Sequence, residues 1–261
     1  MAMLTFLFWN LNKKALAQPL QSLSDEQAPG IVLVAEAPPS VQVTGFRELR
    51  GPRYTTPRVR AFIREGRGWA ESVGDGAYHR TFAYAPEGAP ELLVVAAHLP
   101  SKASADEHGQ ARSARELSGA ICDAEASRGH TRTVLIGDLN MDPFDVGLAA
   151  RDGLRAVMTR QLAAAGSARG PLAFYNPMWS LFGDKTPGPA GTYYYHEKGH
   201  TRALYWHMLD QVLLRPSLAG ALAQGTPRVL DRAGPDSLLS EDGRPDVEYS
   251  DHLPIVVSLD W

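Results

Sequence analysis

The sequence lacks several features that define whole classes of protein. It has one cysteine, Cys122, in 261 residues, which excludes an internal disulfide and favours a reducing, cytoplasmic compartment. Cys122 falls in a segment with helical spacing, and we expect a buried structural thiol there. No apolar run reaches the roughly 18 residues of a membrane helix, and the early stretch MLTFLFWN lacks the basic region of a secretory signal. We therefore expect no membrane partner.

The composition fits a layered α/β protein. Hydrophobic residues make up 44% of the chain, enough for a sizeable core, and the length suits one domain spanning residues 1–261. Two segments, 104–129 and 146–166, have helical spacing, whereas eight short runs rich in branched and aromatic residues predict strands. This excess of strands predicts two packed sheets covered by helices. The eight runs are LTFLFWN, GIVLVAEA, RVRAFIRE, HRTFAYAP, ELLVVAAHLP, TRTVLIGDLN, LDQVLLRP and HLPIVVSLDW.

Charge is unevenly distributed along the chain. The formal net charge is -3, yet the stretch 45–68 holds seven arginines against two glutamates. A local basic cluster can bind a polyanion even when the whole chain is mildly acidic, although a solvated arginine-rich edge explains the pattern equally well. The arginines are Arg47, Arg50, Arg53, Arg58, Arg60, Arg64 and Arg67.

The stretch HEKGH, residues 196–200, matches the two-histidine pattern of zinc proteases. That pattern binds zinc only on a helix, where His196 and His200 would share one face. Three tyrosines precede it and Gly199 interrupts it, so the helix propensity is poor, and no third ligand lies nearby in a helical frame. A zinc protease is therefore a remote alternative. Residues 196–202 fit a loop that either touches substrate or is solvated.

Polar residues end most of the predicted strands. Carboxylate and amide oxygens suit Mg²⁺, whereas zinc prefers cysteine or clustered histidine. Each such residue taken alone is more often a turn or cap residue, so the joint pattern carries the information. The set comprises Asn10, Asn12, Glu36, His98, Asp138, Asn140, Asp210, Asp251 and His252.

Taken together, six motifs resemble the endonuclease/exonuclease/phosphatase superfamily from about Leu4 to Leu259. They are WNLN, VAEA, AAHLPSK, IGDLNMDPF, LDQVLL and YSDHLPI, of which GDLN and SDH are the most specific. The resemblance implies a four-layer α/β sandwich: two packed, mainly antiparallel sheets flanked by helices, with one Mg²⁺-dependent site that hydrolyses phosphate esters. Two departures stand out, because Ala35 replaces a usual glutamine and YWHM precedes Asp210 in place of an arginine-bearing run.

The resemblance also implies the metal ligands. Glu36 is similar to the principal metal carboxylate, and Asp251 and Asn10 complete or adjoin the coordination sphere, with Asn12 as a further candidate. The implied cofactor is Mg²⁺, which Mn²⁺ could replace.

The remaining motif residues take catalytic roles. Asp138 is similar to the residue that orients and deprotonates the attacking water, and Asn140 to one that holds a phosphate oxygen. His252 would stabilise charge on the non-bridging oxygens, and His98 would assist the leaving oxygen. Asp210 would hydrogen-bond His252 or His98 and fix its tautomer. Asp142, before Pro143, is interpreted as a residue that shapes the loop.

The substrate class is harder to predict, because this superfamily acts on several phosphoesters. The basic stretch and the aromatic residues before Asp210 favour a nuclease acting on DNA or RNA. The alternative is a phosphatase or phosphodiesterase for inositol phosphates or another small phosphoester. A non-catalytic binding module is disfavoured, since no carboxylate or histidine of the motif set is missing. Candidate substrate-binding residues are Arg53, Arg58, Arg60, Lys102, Tyr193, Tyr195 and Trp206.

Overall fold

Two large β-sheets form the centre of the structure. It is a computed structural model that describes residues 3–51, 58–167, 172–195 and 205–261. The first sheet has six strands in the order β14-β17-β1-β2-β4-β3. Its central strand β1 pairs antiparallel with β17 and parallel with β2. The strands are β1 (Met3–Asn10), β2 (Ile31–Ala35), β3 (Phe46–Leu49), β4 (Val59–Arg64), β14 (Arg228–Val229) and β17 (Ile255–Asp260).

The second sheet has seven strands in the order β5-β6-β7-β8-β13-β10-β9. Strands β7 and β8 run parallel, while β13 pairs antiparallel with β8. Most neighbours in both sheets are antiparallel. The strands are β5 (Gly68–Asp75), β6 (His79–Pro86), β7 (Leu92–His98), β8 (Thr133–Asp138), β9 (Ala156–Val157), β10 (Phe174–Tyr175) and β13 (Asp210–Leu214).

The sheets pack face to face around the main core, and each is covered on its outer face. Phe6 and Phe8 of the first sheet share this core with Val94 and Ile136 of the second. Because side chains alternate along a strand, Leu7 faces outward, where it packs in a second core with Leu20 and Leu23 of helix α1 (Ala17–Gln27). A third core packs Leu117 and Ile121 of helix α2 (Glu107–Arg128) on the other sheet. These layers confirm the predicted four-layer sandwich.

Helix α2 joins the parallel strands β7 and β8. It begins where the Asp106 carboxylate accepts a hydrogen bond from the Gly109 N–H, and it ends at Gly129, whose φ of 69° favours glycine. Cys122 lies on its exposed side, so the expectation of a buried thiol was wrong. The cysteine follows Ile121, which occupies the buried stripe, and the next residue along a helix points about 100° away.

The long helix expected over 146–166 is also wrong, because three short elements replace it. They are α3 (Val146–Ala149), β9 and α4 (Arg160–Ser167). The chain doubles back at Gly153, where a Cβ atom would collide with the carbonyl oxygen of Gly147, and Arg155 takes a positive φ of 53°. Close backbone approach therefore overrides the helical spacing. All eight predicted strands form, whereas the sequence patterns missed the longer strands β3 and β5 and seven strands of two or three residues.

Smaller elements complete the fold. A 3₁₀ turn spans Pro177–Ser180, and no helix in the described parts of the chain is long and apolar enough to span a membrane. The others are helix α5 (Pro216–Ala219) and the hairpins β11–β12 (Tyr193–Tyr195, Tyr205–His207) and β15–β16 (Arg232–Ala233, Asp236–Ser237).

Candidate active site

Strand ends from both sheets meet at one edge of the sandwich. In the second sheet, His98 is in register with Asp138, and Asp138 with Asp210, so three polar residues line up across neighbouring strands. In the first sheet, Asn10 is in register with Ala35, which places Glu36 just beyond the end of β2. Residues far apart in the sequence are thereby brought together.

These strand ends surround a cavity of about 340 Å³. Its lining is mixed in charge, with carboxylates, imidazoles and cations all facing one volume. The polar and aromatic lining residues include Glu36, Arg58, His98, Lys102, Asp138, Asn140, Tyr193, Tyr195, His207, Asp251 and His252.

Asp138 is buried, with 1% of its surface exposed. Its Oδ2 accepts a hydrogen bond from Asn10 Nδ2 at 3.0 Å, and its Oδ1 accepts one from the Asn140 N–H at 2.9 Å. Nε2 of His98 and of His252 lie 3.6 and 3.9 Å from Oδ2. Burial raises the pKa of Asp138 to about 6, close to the value that a general base needs near neutral pH.

His252 forms a buried pair with Asp210. Its Nδ1 lies 2.8 Å from Asp210 Oδ2, while Asp210 Oδ1 has no hydrogen-bond partner among the described residues. Burial alone would lower the pKa of His252, but the carboxylates of Asp210 and Asp138 outweigh it and raise the pKa to about 10. His252 is therefore protonated at neutral pH, with both ring nitrogens as donors.

Glu36 occupies a more open position. Its side chain is 27% exposed, and its carboxylate oxygens lie 3.6 Å from His98 Nε2 and 3.9 Å from Lys13 Nζ. Its φ of 47° is unusual for a residue with a side chain and marks a sharp turn at the end of β2. Asp251, half-buried, lines the same cavity. Glu36 lines this cavity as well.

Two groups of side chains could hold a cation. Asp138, Asp210 and His252 have potential ligand atoms within 4.8 Å of one another. His252 Nδ1 already pairs with Asp210 and the Asp138 carboxylate already accepts hydrogen bonds, so this group fits a proton-handling network better. Glu36 and Asp251 offer oxygen ligands on the open side of the cavity, which is the donor set that Mg²⁺ prefers.

Asn10 and Asn12 differ in what they bring to this edge. Asn10 Oδ1 accepts a hydrogen bond from the Asn12 N–H at 3.0 Å, and the second lone pair of an amide oxygen suits a cation. Asn12 adopts a φ of 45° and does not line the cavity. Asn10 is buried and does not line the cavity either, but its side chain contacts Asp138 directly, whereas Asn12 contributes only its backbone N–H to Asn10.

Asn140 also lies beside the buried aspartate. It takes a positive φ of 52°, and its Nδ2 donates to the carbonyl oxygen of Leu99 at 2.9 Å. This bond uses one of the two amide hydrogens and holds the amide at the cavity wall; the contact to a phosphate oxygen stays a prediction.

Solved structures with similar architecture identify the fold. No family model and no curated sequence matches the chain. It resembles the endonuclease domain of TRAS1, a telomere-specific non-LTR retrotransposon, with 16% identity, a TM-score of 0.61 and 99% of each chain covered. It also resembles an endonuclease/exonuclease/phosphatase family protein from Bacteroides thetaiotaomicron, with 13% identity, a TM-score of 0.62 and 99% and 95% covered. The chain has the endonuclease/exonuclease/phosphatase fold. The 3' phosphatase NExo from Neisseria, bound to a product DNA hairpin, shares 19% identity, with a TM-score of 0.58 and 99% and 100% covered.

Within this endonuclease/exonuclease/phosphatase fold, four of the predicted substrate-binding residues line the cavity and two others do not. Arg58 lines the cavity, with its guanidinium carbon 4.8 Å from the centre of the Tyr78 ring. Lys102, Tyr193 and Tyr195 line it too.

Arg60 does not reach the cavity, which corrects the sequence-based prediction. Its guanidinium is buried in a two-bonded ion pair with Glu48 and also donates to the Pro38 carbonyl oxygen. Trp206 does not line the cavity either. It packs edge-on against Tyr194 and contacts the second core, which contains helix α1. Arg58 precedes β4, whereas Arg60 lies within the strand, in register with Val34 of β2, so the two arginines have different surroundings. Arg53 and the HEKGH stretch lie outside the described residues.

Sequence reasoning missed a second carboxylate–imidazole pair at the cavity. Asp142 Oδ2 lies 2.7 Å from His207 Nδ1, and its Oδ1 accepts the Met208 N–H at 2.9 Å. The Tyr193 ring lies between the two imidazoles, with its centre 6.4 Å from that of His207 and 4.9 Å from that of His252. Asp142 thus does more than shape its loop. The available signal was its position four residues after Asp138, on the loop that leaves the site.

Proposed function

We propose that the protein is a divalent-metal-dependent phosphodiesterase, and specifically a nuclease that hydrolyses DNA or RNA. One observation carries the proposal: the two sheets place a buried carboxylate, Asp138, within 4 Å of two imidazoles, in a cavity that also holds the half-buried carboxylates Glu36 and Asp251. In-line hydrolysis of a phosphodiester needs a base, charge stabilisation and a cation site, and this cavity offers residues for each.

Asp138 is the base in this mechanism. Its Oδ1 and Oδ2 are anchored by Asn140 and Asn10, so the carboxylate holds one orientation toward a water in the cavity. With a pKa of about 6 it is mostly ionised at neutral pH and still basic enough to accept the water's proton.

The two histidines act on the phosphate oxygens. His252, kept protonated by Asp210, donates to the non-bridging oxygens as negative charge develops on them. His98, held between Glu36 and Asp138, assists the leaving oxygen. Glu36, Asp251 and Asn10 would hold Mg²⁺, which would supply charge neutralisation when bound.

The surroundings of the cavity favour a polynucleotide. Arg58 and Lys102 add positive charge, and Tyr193 and Tyr195 offer aromatic surface for sugars or bases. NExo was solved with a product DNA hairpin, and a TDP2 from D. rerio with a single-strand DNA product. A cavity of about 340 Å³ also admits a small phosphoester, which keeps inositol phosphates as the second candidate.

A substrate panel tests the proposal. Plasmid, linear, single-stranded and abasic DNA, RNA, and inositol phosphates are each incubated with the protein in Mg²⁺ or Mn²⁺, with and without excess chelator. We expect cleavage of a nucleic acid that chelator abolishes and Mg²⁺ restores. Release of phosphate from inositol phosphates alone would favour the second candidate, and full activity in excess chelator would contradict metal dependence.

A further inference from the structure

Three aromatic side chains, the exposed Phe144 and the half-buried Trp179 and Phe182, form a cluster that the proposed mechanism does not use. The Phe144 ring lies 6.2 Å from that of Trp179 and 6.3 Å from that of Phe182, to which it is nearly parallel at 24°. Phe144 is 55% exposed, although removing a phenylalanine side chain from water is energetically favourable. We call these three residues the aromatic platform.

The topology places the platform at the same edge of the sheet as the cavity. Strand β10 is antiparallel to β13, so the chain leaves β10 toward the end at which β13 begins with Asp210. The turn Pro177–Ser180, which carries Trp179, follows at once. Asn176 fixes this turn, because its Nδ2 donates to Gln211 Oε1 at 2.8 Å and its Oδ1 accepts the Met178 N–H.

A second connection ties Phe144 to the cavity rim. Its neighbour Asp145 lies 3.5 Å from Lys102 Nζ, and Lys102 lines the cavity. Asp145 Oδ2 also accepts the Asp142 N–H at 3.0 Å, which fixes the loop between the two aspartates. Phe144 therefore lies on a loop that is fixed by Asp145 beside the cavity-lining Lys102.

The opposite flank of the cavity is cationic. Arg58 lies over the ring of Tyr78, on the turn between β5 and β6. In the order β6-β7-β8-β13-β10, this flank lies on one side of His98, Asp138 and Asp210, and the turn with Trp179 lies on the other. A polyanion crossing the cavity would thus meet Arg58 on one side, and Lys102 and the aromatic platform on the other.

We propose that the aromatic platform, through Phe144, stacks on a nucleobase of a single-stranded polynucleotide whose scissile phosphate lies in the cavity. This inference rests on the proposed function. Phe144 already stacks on Phe182, so a flat base on its exposed face would continue the stack, and an unpaired strand leaves such faces accessible. The neighbouring Lys102 favours a phosphate-bearing partner over an apolar protein surface.

The test compares Phe144→Ala with a matched control, Val146→Ala. Val146 is 60% exposed and lies two residues further on, at the start of α3, but it has no aromatic ring. Affinity for a fluorescent single-stranded oligonucleotide is measured in an Asp138→Asn background, which slows cleavage, and in excess chelator. We expect Phe144→Ala to weaken binding about fivefold or more, Phe144→Trp to retain it, and Val146→Ala to stay within about twofold.

Turnover gives a second readout in the protein with Asp138 intact. Phe144→Ala should lower kcat/KM for the oligonucleotide several-fold more than for a nitrophenyl phosphodiester, which is too small to reach the platform. Equal losses on both substrates would indicate a disturbed loop and overturn the inference, as would unchanged oligonucleotide affinity. A change in self-association alone would identify a protein interface instead.

The two proposals fail separately in these experiments. If the unaltered protein hydrolyses neither substrate, the proposed function is wrong, whatever the platform binds. If the unaltered protein cleaves the oligonucleotide and Phe144→Ala binds and cleaves it equally well, only the stacking site is wrong.

Discussion

The cavity has an inner and an outer group of ionisable residues, and the two contrast sharply. The inner group, Asp138, Asp210 and His252, is buried, and its members face one another through hydrogen bonds and short ionic contacts. The outer group, Glu36 and Asp251, is half-buried and faces the open volume.

This difference separates two kinds of chemistry. Burial and close charges shift the pKa values of two inner residues, Asp138 to about 6 and His252 to about 10, which suits the transfer and holding of protons. The outer carboxylates keep access to water, as a site for Mg²⁺ requires, since that ion retains several of its own waters. Substitutions in each group should therefore produce different kinetic signatures.

The largest effect is expected in the inner group. Asp138→Asn keeps the size of the side chain but removes the base, so kcat should fall by about 10² to 10⁴ while oligonucleotide affinity is retained. Initial rates and fluorescence anisotropy on the same preparation measure both quantities. If kcat changed less than tenfold, another group would have to accept the proton.

The outer group should respond to metal concentration. Glu36→Gln removes a charged ligand, so the Mg²⁺ concentration for half-maximal activity should rise about tenfold or more, with much of the rate recovered at saturation. Mg²⁺ titrations of Glu36→Gln and Asp138→Asn provide the comparison, because the second variant should show no such recovery. A Glu36 variant with an unchanged titration would remove Glu36 from the metal site.

The two carboxylate–imidazole pairs should contribute unequally to turnover. Asp210→Asn leaves His252 without its main charge partner and should lower kcat strongly, whereas Asp142→Asn, which loosens His207 at the rim, should change kcat/KM within about tenfold. Steady-state kinetics on one oligonucleotide compares them directly. Equal losses would place His207 beside His252 in the chemical step.

The smallest effect concerns stability against pH in the metal-free protein. The folded-state pKa of His252 is raised to about 10 from an ordinary 6.5, so its contribution to stability is complete below about pH 6.5 and is lost as pH rises toward 10. Urea unfolding in chelator from pH 6.5 to 10 should therefore show a declining free energy of unfolding. Asp210→Asn should flatten that decline, and an equal slope in both proteins would contradict the raised pKa.

The sequence by itself determined the strands and the chemical character of their ends. Eight apolar runs predicted eight strands correctly, because the β pattern is local: branched and aromatic residues in short runs bounded by polar ones. The motif order also indicated the fold, and the structure brings Asn10, Glu36, His98, Asp138, Asp210, Asp251 and His252 to one edge of the sandwich.

Only the tertiary structure decided which residues meet. The helical spacing of 146–166 was overridden where Gly153 packs against Gly147, and Arg60, two residues from the cavity-lining Arg58, is held by Glu48 of a neighbouring strand. The pairing of Asp142 with His207 spans 65 residues, and that of Asp210 with His252 spans 42. Such contacts depend on strand order and register, which arise from packing the whole chain, and no local pattern encodes them.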